Sequence, residues 1–155
     1  MKTLSIFAMA VLVSLTLLPQ ANAACSNATV NGTYGYTVSG TLFLPQGAAP
    51  VAAAGSLTFD LDGSLSGNQN RSVGGAFLHE TFQGTYTIDS DCALKFTAKV
   101  YDDSGTLLRT SVVDGVVVDN GKQIRAMFES TTLPNGVSLN SALTAEAVRV
   151  QGHGQ

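Results

Sequence analysis

The chain has 155 residues, a formal net charge of −3, 45% hydrophobic residues and only 12% charged ones. Its eight Lys and Arg are spread singly, so there is no basic, aromatic-studded strand to follow a phosphate backbone or anionic headgroups. Nucleic acid is therefore excluded as a partner. Abundant Ser, Thr, Gly and small apolar residues argue against a long helical or disordered chain.

Taken in order, the chain opens on Lys2 and an uncharged run from Leu4 to Leu18, broken at Pro19-Gln20 and followed by Ala21-Asn22-Ala23. A positive start, an apolar centre and a small-x-small end describe an export signal cut after residue 23. The run is about 15 residues, short of the ~20 that a membrane-spanning helix needs. The expected division is a cleaved signal peptide at 1–23 and a single domain at 24–155, long enough for a real core. Losing Lys2 with the leader takes the charge from −3 to −4. The expected location is outside the cytoplasm, periplasmic or extracellular, with no transmembrane segment.

Cys25 stands just beyond the cut, and Cys92 is the other of the two cysteines. In an oxidising compartment they have one intramolecular pairing, with each other. The competing reading is a lipoprotein anchored through Cys25. The lipobox position that ordinarily carries leucine holds Asn22, and acylation leaves Cys92 without a partner.

Beyond Cys25 the dominant period is two. Tyr34, Tyr36 and Val38 alternate with Thr33, Thr37 and Ser39, and Leu57, Phe59 and Leu61 with Thr58 and Asp60. The pattern returns in Phe82, Tyr86 and Ile88, in Leu94, Phe96, Ala98 and Val100, and in Ile124, Ala126 and Phe128. Such segments bury one face and wet the other, as antiparallel strands do. Asp62-Gly63 and Asn120-Gly121 are dipeptides favoured in two-residue hairpins. Asp103-Ser104-Gly105 and Pro134-Asn135-Gly136 read as slightly longer turns, and Asp89-Ser90-Asp91 as the turn into a Cys92 strand. Two stretches interrupt the rhythm: Leu44 to Ala54, with Pro45 and Pro50, reads as a long loop or an edge crossing, and Gly67 to Gly75, around Asn68-Gln69-Asn70-Arg71, as a second long loop. Gly32-Thr33-Tyr34 recurs as Gly84-Thr85-Tyr86, each expected to begin a strand. Residues 151–155 read as a frayed tail.

Local connections and evenly spread turns predict an all-β, antiparallel up-and-down meander of about eight to ten strands closing into a small barrel. A β-sandwich or jelly roll is the alternative.

Chemical motifs are few. His79-Glu80 is the one place where a histidine adjoins a carboxylate, but strand neighbours face opposite ways. His153 lies in the tail. Asp60-Leu61-Asp62-Gly63 is a turn and not a helix-flanked calcium loop, whose twelfth position is here Arg71. Two cysteines and two histidines at these spacings make no metal site, and no cofactor is expected. Gly63-Ser64-Leu65-Ser66-Gly67 has leucine where a hydrolase elbow has its nucleophile. Asn27, Asn31 and Asn70 head glycosylation sequons that matter only in a glycosylating host. What remains is the aromatic set: Tyr34, Tyr36, Phe59, Tyr86, Phe96 and Phe128 form the candidate ligand-binding lining. They line a small-molecule cavity if the barrel is hollow, and form plain core if it is filled.

Gly32-Thr33-Tyr34, Gly55-Ser56-Leu57-Thr58-Phe59-Asp60-Leu61-Asp62-Gly63, Gly84-Thr85-Tyr86-Thr87-Ile88 with Asp91-Cys92, and Val117-Val118-Asp119-Asn120-Gly121-Lys122 carry a likeness over most of the mature chain. With them, the protein resembles a group of uncharacterised exported bacterial β-barrel proteins of the calycin or allene-oxide-cyclase-barrel kind. The lipocalin Gly-x-Trp signature is absent, since the chain has no tryptophan. The resemblance implies fold and compartment and carries over no catalytic residue. The expected function is a secreted non-enzymatic barrel binding a small apolar molecule. The alternatives are an isomerase or cyclase using Tyr34, Tyr36, Tyr86, His79 and Glu80, or a structural cell-surface module.

Overall fold

The computed structural model describes residues 24–150. The expected signal peptide, and the tail with His153, lie outside the described residues. Eight strands follow one another: β1 (Gly32–Leu44), β2 (Gly47–Phe59), β3 (Ser64–Val73), β4 (Ala76–Ile88), β5 (Ala93–Tyr101), β6 (Leu107–Val118), β7 (Gln123–Thr132) and β8 (Asn140–Arg149). Each pairs antiparallel with the next, and β8 returns to β1 from Tyr34↔Arg149 to Phe43↔Asn140, closing a barrel. Closure satisfies every edge, which a sandwich does not.

Alternation decides the faces where it is clean. In β5, Leu94, Ala98 and Val100 are buried, while Lys95, Thr97 and Lys99 are exposed. Leu61 departs from the expected inward set, because β2 ends at Phe59 and Leu61 sits in the following turn, exposed.

Both expected long loops are strand. The first is the end of β1, a two-residue turn at Pro45-Gln46, and β2 from Gly47. Pro50 pairs in register with Thr41, and its carbonyl accepts from Gly74 on the β3 side, just past the last β2–β3 pair, Val51↔Val73. The missing proline N–H thus falls on the last rung of the β2–β3 ladder, where it costs at most one terminal bond. The second loop is β3 itself, whose polar residues alternate in and out, with the turn confined to Gly74-Gly75.

The Asp62-Gly63 and Asn120-Gly121 turns are longer than two residues, spanning 60–63 and 119–122. Their extra carbonyls accept from side chains of the N-terminal segment, β1 and β8. Asn27 Nδ2 donates to Leu61 O, and Gly121 O accepts from Tyr34 and Arg149. Gly121 has φ 81°, and a Cβ there would lie 2.1 Å from Thr29 O, so both conformation and proximity require glycine. Cys92 ends its turn in the left-handed region (φ 70°) rather than lying in a strand. Gly84-Thr85-Tyr86 lies inside β4, so only the first copy of the repeat starts a strand.

Because hairpins alternate ends, the two mouths differ. At one end the short helix α1 (Asn27–Val30) seals the barrel with the turns 60–63, 89–92 and 119–122. Val30, Tyr34 and Phe59 are completely buried there, and Phe59 is met edge-on by Tyr34, Tyr86 and Phe96. Arg149 ties β8 to this seal, donating to Thr29 O, Asn31 O, Gly121 O and the Tyr34 hydroxyl. The Cys25–Cys92 disulfide fixes the lead to the 89–92 turn. A sulfur held in that bond has no thiol left to acylate, so this corrects the lipid-anchor alternative. Replacing Tyr34 by Phe removes the Tyr34 hydroxyl from Gly121 O and Arg149, and urea denaturation is expected to show a loss of about 1–2 kcal/mol.

The other end is ringed by the loops 45–46, 74–75, 102–106 and 133–139 and carries no helix. Two β-bulges act near it. At Val100/Tyr101 the partner register skips Leu108, so adjacent Leu108 and Arg109 both reach the interior. At Val112/Val113 it skips Glu129, re-phasing β7 so that Thr131 turns inward after Phe128.

Candidate functional site

A polar layer crosses the barrel between its sealed and open ends. Inward positions of β3 supply Gln69 and Arg71, β4 supplies Glu80 opposite Gln69, and β6 supplies Arg109 and Ser111. β1 contributes Tyr36 and β7 contributes Thr131.

Glu80 is the centre and is completely buried. Arg109 grips it with both terminal nitrogens, at 2.8 and 2.7 Å, Arg71 Nε donates at 3.0 Å, and Gln69 Nε2 at 2.6 Å. Two parallel guanidinium bonds are the strong form of such a pair. Tyr36 extends the chain by donating to Gln69 Oε1 at 2.8 Å. Burial pushes the Glu80 carboxyl upward, but the bonds and charge of Arg109, with Gln69 and Arg71, outweigh it and hold the group below its ordinary value. Burial drives the Tyr36 hydroxyl well above its ordinary value, so it stays protonated and donates. Burial and the like charge of Arg109 lower Arg71, against the pull of Glu80.

The layer is unbalanced in two respects. Two guanidiniums face one carboxylate, and Arg71 Nη1 and Nη2 meet no acceptor among the described residues. The Ser111 and Thr131 hydroxyls are buried with no protein partner. Removing these stranded hydroxyls by Ser111→Ala or Thr131→Val is expected to raise unfolding free energy by about 1 kcal/mol each, read by urea denaturation.

The layer divides two chambers that share Val38, Gln69, Arg109 and Phe128 in their walls. The inner one, toward the seal, is about 70 Å³ and mostly aromatic and aliphatic. The outer one, toward the open end, is about 350 Å³, with walls of Leu42, Val51, Val73, Leu139 and Leu143 over a floor that includes Arg71, Arg109 and Thr131. Leu78 lies half exposed at its mouth, near exposed Phe43, Phe77 and Val137.

The residues expected from sequence part company here. Tyr36, Phe59, Phe96 and Phe128 line the inner chamber, and Phe128 reaches the outer one. Tyr34 and Tyr86 line neither. They belong to the seal, where their hydroxyls donate to Gly121 O and Asp60 O at 2.5 and 2.6 Å. Of the five candidates for catalysis, Tyr36 and Glu80 meet in one network through Gln69. His79 lies outside, exposed, with Nδ1 2.5 Å from Asp103 Oδ1. His79 and Glu80 do point to opposite faces. Sequence reading missed Gln69, Arg71, Arg109, Ser111 and Thr131. One usable signal was the phase of β6, where Arg109 and Ser111 occupy the same alternating positions as Val113 and Val117.

No protein-family model matches this chain, and no curated protein matches it.

Proposed function

We propose that this protein is an exported, non-enzymatic barrel that binds a small apolar or amphipathic molecule in its outer chamber. The carrying observation is the chamber itself. About 350 Å³ of leucine- and valine-walled space lies toward one open end of a barrel whose other end is plugged. That volume is within the range of small-molecule pockets, which combine mostly apolar walls with a few placed polar groups. Exposed Phe43, Phe77 and Leu78 near the mouth suit the entry of an apolar molecule.

Export rests on the leader at 1–23, and the Cys25–Cys92 disulfide is compatible with it. Among the described residues no helix is long and apolar enough to cross a membrane. An eight-stranded meander barrel is also the fold that the resemblance to uncharacterised exported bacterial barrels implies. Binding is favoured over catalysis because Glu80, the one carboxylate in the network, has both oxygens occupied by guanidinium and amide donors.

The test is titration of the oxidised protein with a hydrophobic fluorescent probe. Saturable, one-site binding that Leu143→Arg abolishes at the chamber wall is expected. A linear, unsaturable signal refutes the reading.

A further inference from the structure

Resting on that binding reading, we infer that the ligand of the outer chamber is a monoanionic amphiphile, a carboxylate on an apolar tail, bound head-first. The head lies on the chamber floor against Arg71, and the tail runs along the aliphatic wall toward the mouth.

Charge and hydrogen-bond capacity at the floor support this independently. Arg71 and Arg109 bring two positive charges and Glu80 one negative, all within a few ångströms; Glu80 and Arg109 are buried, and the Arg71 side chain is 17% exposed. The carboxylate is saturated by four short bonds, so the surplus positive charge has no counter-ion in the protein. Arg109 spends both terminal nitrogens on Glu80, whereas Arg71 spends only Nε, and its two terminal N–H₂ groups remain for another acceptor. A guanidinium is suited to a planar, two-oxygen partner.

The rest of the lining points the same way. Leu42, Val51, Val73, Leu139 and Leu143 offer only aliphatic surface, so a charged head finds its partner at Arg71. Thr131 also lines the chamber, but its unpartnered Oγ1 is enclosed and closed to a ligand. A cationic head is disfavoured by the net positive floor, and a neutral one leaves that charge uncompensated.

The experiment compares decanoate, decanol and decylamine, below their aggregation limits, by calorimetric titration of the oxidised protein at neutral pH. Decanoate is expected to bind roughly ten- to a hundred-fold more tightly than decanol, the worth of one charge-assisted contact, and decylamine most weakly. Arg71→Met should bring the decanoate-to-decanol ratio toward one, and Thr131→Val, at a hydroxyl closed to the chamber, should leave it unchanged. The valine variant removes an unpartnered hydroxyl and is expected to fold at least as well as the wild type.

Equal affinities for decanoate and decanol, or a preference for decylamine, overturn the anionic-head inference and leave the binding reading standing. No binding of any of the three overturns both. A ratio unchanged by Arg71→Met overturns the assignment of the head to Arg71.

Discussion

Replacing Glu80 by Gln is expected to lower the unfolding free energy by about 3–5 kcal/mol at neutral pH, read from urea denaturation of the oxidised protein. The substitution preserves shape but removes the charge that Arg71 and Arg109 share, leaving the buried Arg109 guanidinium without its carboxylate beside the part-exposed one of Arg71. The penalty is the cost of uncompensated buried charge, which is large because water is excluded around a residue of zero exposure. Gln69 also loses the carboxylate that takes its amide bond.

The pH dependence follows in sign. The Glu80 carboxyl is held below its ordinary value in the folded state. Its contribution is therefore complete above the unfolded value of about 4.3, and is lost as pH falls through the lower folded value. The gap between wild type and Glu80→Gln should be widest from pH 5 upward and narrow in acid. Exposed carboxylates titrate in the same range, so the difference between the two proteins is the quantity to plot. A gap that stays constant to pH 3 would count against this account. Replacing Arg71, Glu80 and Arg109 together by Met should cost far less than Glu80→Gln alone, because the triple change removes every buried charge at once.

Removing the Cys25–Cys92 bond, by Cys25→Ser with Cys92→Ser, is expected to cost about 4 kcal/mol in the chain-entropy model for a sequence separation of 67. The loss arises mainly in the unfolded chain, which gains freedom once its long loop is opened. The urea midpoint should therefore fall while the slope rises, as a more expanded unfolded state exposes more surface. The seal has other attachments: Val30 is fully buried against the core, and Arg149 holds the carbonyls of Thr29 and Asn31. The native barrel should accordingly persist under mild conditions in the variant. A loss below about 1 kcal/mol would mean that these contacts already confine the lead in the unfolded ensemble.

These two effects come from parts of the molecule that differ in how plainly the sequence displays them. The disulfide followed from counting: two cysteines allow one intramolecular bridge. The aromatic plug was half legible. Tyr34, Phe59 and Tyr86 showed themselves as inward by alternation, but nothing local said that they pack into a seal instead of lining a chamber. That depends on α1 and the 119–122 turn lying over one mouth, a contact between segments nearly ninety residues apart (Tyr34 to Gly121).

The polar layer was the least legible part. Arg71 lies in a glycine-flanked, polar run with the composition of a loop, and only its pairing with Leu78, from Ser64↔Thr85 through Val73↔Ala76, makes it strand. Composition misleads because a barrel tolerates polar inward residues when partners arrive from neighbouring strands, and those partners, Glu80 and Arg109, are remote in sequence. Pro50 misled for a similar reason: a proline at the end of a ladder forfeits at most one bond, and where a ladder ends is set by the neighbouring strand.

By itself, then, the sequence determined the single disulfide, the antiparallel meander and the inward face of each cleanly alternating strand. All of these are set by local periodicity, turn chemistry and residue counts. Tertiary structure decided the closure of β8 onto β1, the plugging of one end and the hollowness of the other. It also decided the meeting of Gln69, Arg71, Glu80 and Arg109. Two bulges decided which residues complete that floor, because a skipped residue in a ladder reverses the faces beyond it. Such a skip is fixed by how neighbouring strands fit around a closed cylinder, and no stretch of a single strand records it.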